Sequence, residues 1–150
     1  MTKVIGLISD THGLIRPEAL QALQGSEVII HAGDVGRPDV LGHLMAIAPV
    51  VAVRGNVDSG AWAASLPLTE KLTFGGHELH VLHILTDLGI DPKATGISAV
   101  IYGHSHKPLI EETDGVLYIN PGSAGPRRFT LAHLHVVRKK VHANIAELSV

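Results

Sequence analysis

The stretch Lys3-Val4-Ile5-Gly6-Leu7-Ile8-Ser9-Asp10-Thr11-His12 decides how this chain is read. After Lys3 the residues are apolar and partly β-branched, the pattern of a short strand buried on both faces. The run stops at Asp10 and His12. Two positions apart on an extended chain, their side chains leave on the same side. A carboxylate and an imidazole therefore emerge together where a buried strand ends. A turn or a helix cap would also account for Asp-Thr-His in isolation, so its neighbours have to decide.

Working outward, Arg16-Pro17-Glu18 opens a helix, with proline in its first turn and an acidic residue beside it, and the helix ends near Gly25. Val28 to Ala32 is a second strand. Pro38-Asp39 starts a second helix that runs to about Ile47. Val50 to Arg54 is a third strand. This βαβαβ opening argues for a parallel, doubly wound sheet. The pattern then changes. Glu70–Phe74 and Glu78–His83 read as a hairpin across Gly75-Gly76. Asp91 to Thr95 is assigned a short helix and Ala99 to Tyr102 a buried strand. Leu109–Glu112 and Val116–Ile119 form a hairpin across Thr113-Asp114-Gly115. Phe129–Val137 and Val141–Leu148 form another, closed by Arg138-Lys139-Lys140. A parallel first half is joined to an antiparallel-rich second half, with no repeat or linker. At 150 residues one domain, spanning 1–150, is expected.

Composition removes several function classes. Only five residues are Phe, Trp or Tyr, so the core must be built from Val, Ile, Leu and Ala. There is no cysteine, which excludes disulfides and thiolate metal sites. The formal charge of −2 offers no basic stripe for a nucleic-acid backbone. The longest apolar stretch, Leu44 to Val53, is broken by Pro49 and is too short for a bilayer. The amino terminus enters the first strand without a signal-peptide pattern. A soluble cytoplasmic protein with no membrane or nucleic-acid partner is expected, and a homo-oligomer is left open.

Eleven histidines are the outlier, and position must select among them. Asp34 follows Gly33 where the second strand ends, and Asn56 follows Gly55 where the third ends. Either dipeptide alone is ordinary turn chemistry. Gly103-His104-Ser105-His106 is sharper, because two imidazoles two residues apart after a buried strand suit a metal. Three successive strand ends carry Asp and His, Asp, and Asn. Those ends are where open α/β sheets bind ligands. The donors suffice for two adjacent metal ions, the inventory of a two-metal phosphoester hydrolase.

Asp10-x-His12, Gly33-Asp34, Gly55-Asn56, a later histidine and Gly103-His104-x-His106, in that order, resemble the calcineurin-like metallophosphoesterase superfamily. The chain length, Asn120-Pro121-Gly122-Ser123 and Pro126-Arg127 are similar to its small prokaryotic YfcE-like phosphodiesterases. The resemblance implies an α/β fold in which two mixed β-sheets form a sandwich flanked by helices. It implies a hydrolase of phosphodiesters, and of some monoesters, acting on a small phosphoester substrate. Asp10, His12 and His106 would hold one divalent metal ion. Asn56, His83 and His104 would hold a second, and Asp34 would bridge them. A hydroxide shared between the metals would attack phosphorus, with Asp10, His12, Asp34, Asn56 and His104 as the catalytic group and Asn56 and Arg127 at the phosphate. Manganese is the first expectation for the metal, with iron, nickel or zinc as the others, since mixed O and N donors accept several divalent ions.

The chain departs from the family pattern twice. Ile84 follows His83 where relatives have glycine, and His77, His80 and His83 share one strand; His83 is preferred over His80 because it stands at the carboxyl end. Val57 follows Asn56 where many relatives place a proton-donating histidine. The general acid is therefore open, with Asp58 and His12 as candidates. The remaining histidines receive plainer readings. His31 is packing or an outer partner of the site. His133 and His135 share a strand face away from the other clusters. His43, His77 and His142 are expected in solvent. Arg127 and Arg128 are phosphate contacts or surface charge. The rival function, from another class, is a non-catalytic scaffold for protein assembly on the same fold.

Overall fold

The computed structural model describes residues 2–138 and 140–149. Among the described residues, ten strands form two five-stranded mixed sheets. The first sheet contains β1 (Lys3–Ile8), β2 (Val28–His31), β3 (Val50–Ala52), β9 (Thr130–Val137) and β10 (Lys140–Glu147), in the order β10-β9-β1-β2-β3. The second contains β4 (Thr69–Phe74), β5 (His77–Leu82), β6 (Ile97–Ile101), β7 (Leu109–Thr113) and β8 (Val116–Asn120), in the order β4-β5-β6-β8-β7.

The βαβαβ opening is present, but it does not build a doubly wound sheet. β1, β2 and β3 are parallel as expected. The other edge of β1 is taken by β9, which runs antiparallel with Gly6 opposite His133. Both crossover helices, α1 (Pro17–Ala22) and α2 (Pro38–Met45), lie on one face. Ile8, Ile29 and Leu131 pack there against Ala19, Leu23, Val40 and Leu44. The opposite face carries Ile5, Leu7, Ile30 and Leu134, which meet Leu79, Val81, Ala99, Ile101 and Ile119 of the second sheet. A sheet apolar on both faces needs two covers, and here one of them is another sheet. Among the described residues no helix is long and apolar enough to cross a membrane.

Two local expectations change. Asp91–Thr95 forms turns rather than a helix; the bond from Thr95 N–H to Asp91 O is followed by one from Ile97 N–H to Pro92 O, which ends any helical run. A short α3 (Ala61–Ala64) and a 3₁₀ turn (Leu85–Asp87) appear where no element was assigned. The turn closing β9 and β10 includes position 139, which lies outside the described residues.

Candidate metal centre

Backbone conformation marks the site before any side chain is considered. Asp10 (φ 54°), His12 (50°), Asp34 (55°), His104 (74°) and His106 (64°) all lie in the left-handed region. Among the described residues the other non-glycine there is Asp114, in a hairpin turn. Such residues cost on the order of 1–3 kcal/mol each and persist only where their surroundings over-determine them. The surroundings do so here. Asp10 N–H donates to Gly33 O (3.0 Å), His12 N–H to Asp34 O (3.0 Å) and Gly13 N–H to Val35 O (2.7 Å), so the chains leaving β1 and β2 stay paired beyond the strands. The Asp58 carboxylate accepts from Val35 N (3.2 Å), Gly36 N (2.9 Å) and Gly55 N (2.9 Å), tying in the loop after β3. Packing there is close enough that a Cβ on Gly55 would collide with the Asp34 backbone and carboxylate.

The side chains converge in two groups, Asp10 with His12 and His106, and Asp34 with His83 and His104. His106 Nε2 lies 3.2 Å from Asp10 Oδ1, and the Nε2 atoms of His12 and His106 are 3.3 Å apart. His83 Nε2 lies 3.1 Å from Asp34 Oδ2 and 3.8 Å from Asp10 Oδ1, while His12 Nε2 is 3.9 Å from Asp34 Oδ2. Asn56 joins the second group through its Oδ1, 3.1 Å from His104 Nδ1. Asp34 therefore touches both groups.

These groups offer electron pairs to a common space. Asp10 Oδ2 is satisfied by Ser9 Oγ–H (2.6 Å) and His104 N–H (3.1 Å), yet Asp10 Oδ1 is buried without a hydrogen-bond partner. His83 Nδ1–H donates to Ala32 O (2.7 Å), which leaves Nε2 as its free position, also buried and without a hydrogen-bond partner. Buried polar atoms are rarely left so. An orphaned carboxylate oxygen facing an orphaned imidazole nitrogen fits a bound cation, and the second-nitrogen bond to a carbonyl is how metal-ligating histidines are oriented.

The charges support this arrangement. Burial pushes the Asp10 carboxyl up, and Ser9, His83 and His106 reverse only part of that. Burial also acts on Asp34, but the imidazole of His83 beside it and the hydrogen bond from Val57 N–H outweigh burial and hold the carboxyl below its ordinary value. Burial alone would lower His83; the Asp34 carboxylate and the Ala32 carbonyl more than reverse this. With Nδ1 committed, whatever His83 binds, proton or cation, it binds at Nε2.

The family model for the calcineurin-like phosphoesterase superfamily domain matches residues 4–143. The chain belongs to the calcineurin-like phosphoesterase superfamily. Within it, a probable metallophosphoesterase of Methanothermobacter thermautotrophicus is 33% identical over 150 residues, covering 90% of this chain and 85% of that relative. A phosphodiesterase of Methanocaldococcus jannaschii is 29% identical over 143 residues, covering 79% of this chain and 82% of that relative. The fold is also that of vacuolar protein sorting 29 from Cryptosporidium parvum, at TM-score 0.76 and 18% identity over 99% of both chains.

The two β-strand histidines with competing claims separate by face. Leu79 and Val81 of β5 point into the space between the sheets, and period two carries His83 to the same side. His80 points the other way and belongs to neither donor group; its Nδ1 is buried without a hydrogen-bond partner, and burial lowers its pKa. Asp58 does not stand free as a proton donor, since three backbone N–H groups occupy its oxygens. Val57 beside it is half exposed and apolar. His31 is an inner brace. Its Nδ1 accepts from Gly33 N–H (3.1 Å) and its Nε2 donates to Thr11 Oγ1 (3.0 Å), which donates on to Val35 O (2.9 Å). Burial drives its pKa down to about 3, keeping it neutral. His77, expected in solvent, is half-buried against Ser98 Oγ (3.0 Å) and Val137 O (3.2 Å). His135 stacks on His142 across β9 and β10, apart from the site.

The stretch from Asn120 to Ser123 braces the backbone that carries the donors. Asn120 Nδ2–H bonds Gly103 O (3.1 Å) and Ser105 Oγ (3.0 Å), bracing the loop that carries His104 and His106. Ser123 Oγ–H donates to Asp10 O (2.7 Å). Arg16 Nη2 reaches Pro126 O (3.2 Å) with its guanidinium stacked on Phe129. The next residues, Arg127 and Arg128, line a cavity with His12 and His106. The signal was the apposition of a buried Asn and a Gly-His-Ser-His loop, which only the β6–β8 pairing reveals.

Proposed function

We propose that this protein is a two-metal phosphodiesterase acting on small phosphoesters. The observation that carries the reading is the pair of donor groups sharing Asp34, with Asp10 Oδ1 and His83 Nε2 buried and lacking hydrogen-bond partners. Asp10, His12 and His106 would hold one divalent ion; Asn56, His83 and His104 would hold the other, with Asp34 common to both. Held there, divalent cations would supply Lewis acidity toward phosphoryl oxygens and a water acidified enough to act as nucleophile at neutral pH. Oxygen and nitrogen donors without sulfur suit manganese, and also iron, nickel or zinc.

The chain's own residues set the rest. The braced loops around Asp10, Asp34 and Asn56 fix the donors so that little reorganises during reaction. Arg127 faces the His12 and His106 side, where it would neutralise a phosphoryl oxygen. Val57 cannot protonate a departing oxygen, and Asp58 is tied down. Esters whose alcohol leaves unprotonated are therefore favoured. The relative named a phosphodiesterase supports the choice of diesters.

The test is an assay of protein stripped by chelation and reloaded with manganese. It should stay folded when stripped, regain hydrolysis on reloading, and cleave an aryl phosphodiester faster than an alkyl phosphomonoester. Fully metallated protein that cleaves neither, yet captures a stable protein partner, would establish the scaffold reading instead. The likeness to the protein-sorting structure concerns the fold, and the full donor set here favours the hydrolase.

A further inference from the structure

Two cavities adjoin the donor groups, and their chemistries differ. One, of about 200 Å³, lies against His12 and His106 and is lined by Ser123, Pro126, Arg127 and Arg128. The other, of about 430 Å³, reaches Asn56 and His83. Its walls are Leu68, Leu82 and Ile84, with Arg54, Thr69 and Asp87 among them. A diester seated at Asp10 and Asp34 would thus meet guanidinium groups on one side and aliphatic side chains on the other.

We propose that the larger cavity receives one ester group of the substrate and selects a flat aromatic ring with a polar edge, a nucleobase or a substituted aryl group. The inference rests on the phosphodiesterase reading for its context and names the substrate class of that same site. The wall chemistry decides the class. An alkyl chain would offer no partner to Arg54, Thr69 or Asp87 where it displaced their water. A sugar or polyol would set hydroxyls against Leu68, Leu82 and Ile84, again unpaired. A ring meets both demands, with apolar faces toward the leucines and isoleucine and edge donors or acceptors toward Thr69, Asp87 and Arg54. The guanidinium of Arg54 also stacks favourably on such rings. The volume falls in the range of small-molecule sites. Leu68 is 62% exposed and Val57 49% exposed, so apolar surface is presented to solvent beside Asn56 where a ligand could cover it.

Binding, rather than turnover, tests this. Manganese-loaded protein is titrated calorimetrically with two matched pairs, phenylphosphonate against methylphosphonate, and thymidine 5′-monophosphate against ribose 5-phosphate. The ring-bearing member of at least one pair should bind about tenfold or more tightly, the return from covering a ring's apolar surface. Leu68→Ser should reduce that preference to below about threefold, and Leu68→Phe should keep it, since only the apolar wall differs. Preference in one pair alone identifies the ring as aryl or nucleobase. Equal binding within both pairs, no binding of any probe, or a preference that survives Leu68→Ser overturns the proposal. Protein that binds the ring-bearing probes but cleaves no diester would refute the hydrolase and leave the cavity assignment standing.

Discussion

The two sheets bring different chemistry to one seam. The first sheet supplies oxygen donors, Asp10, Asp34 and Asn56, each just past a parallel strand, together with His12. The second supplies only imidazoles, His83 after β5 and His104 and His106 after β6. Neither set alone is a divalent-metal site of the kind proposed. They meet through bonds that cross the sandwich: His83 Nδ1–H to Ala32 O, His104 N–H to Asp10 Oδ2 and the contact of Asn56 with His104. The halves also hold their loops differently. The first pairs backbone with backbone and gathers three amides on Asp58. The second has one such backbone link between its donor loops, Gly103 N–H to His83 O (3.0 Å), and adds the Asn120 side chain. Closing the core and completing the site are thus the same event.

The largest effect should come from the residue both groups share. Asp34→Asn keeps the shape but removes the charge that faces His83 and His12. It should abolish measurable hydrolysis and lower manganese content at both sites, whereas Asp10→Asn should mainly empty one. Elemental analysis of saturated protein decides this. Wild-type stoichiometry that never exceeds one ion per chain would break the picture of two donor sets meeting at the seam.

His83 and His80 test the second sheet alone. They lie on one strand region three residues apart, and the pleat sends them to opposite faces. His83→Ala should reduce metal retention and hydrolysis severely, while His80→Ala should leave both within a few-fold. The reverse order would show that the donor of the second sheet had been misidentified, and the contrast between the sheets would then have to be redrawn.

That pair also shows what a sequence can and cannot display. Strand ends bearing Asp10, His12, Asp34 and Asn56 are legible because each falls just after an apolar run; the extended alternation expected for Asp10 and His12 does not hold, since both lie past β1 in the left-handed region. The preference for His83 over His80 follows from the same position at a strand end. The sandwich did not follow from periodicity, because a β1 buried on both faces looks the same whether helices or a second sheet cover it. The left-handed conformations at Asp10 and His104 leave no compositional trace, since glycine is absent from both positions. Bracing by Asn120 and Asp58 was hidden for another reason. Each acts on loops that are distant in sequence or on backbone amides, and neither pairing has a periodic signature.

Asn120 sharpens the comparison at intermediate size. Removing it takes away the side-chain amide that ties Gly103 O to Ser105 Oγ, leaving each with a single backbone donor, and loosens the loop of His104 and His106. Outer partners of metal ligands are worth about 10–100-fold in affinity. Asn120→Ala should lose that much manganese affinity while the first-sheet donors are untouched. Asp58→Ala, which strands three amides, should instead show mainly as lost stability, about 3 kcal/mol in urea unfolding. If both variants act alike on affinity and stability, the two halves are braced in the same way after all.

The smallest effect concerns His31, the inner brace of the first sheet, and appears only on acidification. Its folded pKa of about 3 lies below the ordinary 6.5 because burial disfavours the charged ring. The folded state therefore takes up the proton less readily than the unfolded chain. The sign follows: this contribution is intact above about pH 6.5 and is lost progressively as pH falls toward 3. Between pH 6.5 and 5 the loss is about 2 kcal/mol, from roughly 1.4 kcal/mol per unit. His83 works in the opposite direction, since its pKa is raised, so the net slope of the protein does not isolate His31. The difference between wild type and His31→Gln does. The variant should be less stable at pH 7, having lost the bonds to Thr11 and Gly33, yet it should lose less on moving to pH 5. Urea unfolding at both pH values measures the two slopes. Equal losses would mean that His31 can be protonated in place. The β2 strand end would then be looser than the bonds from Gly13 and His12 to its partner loop require.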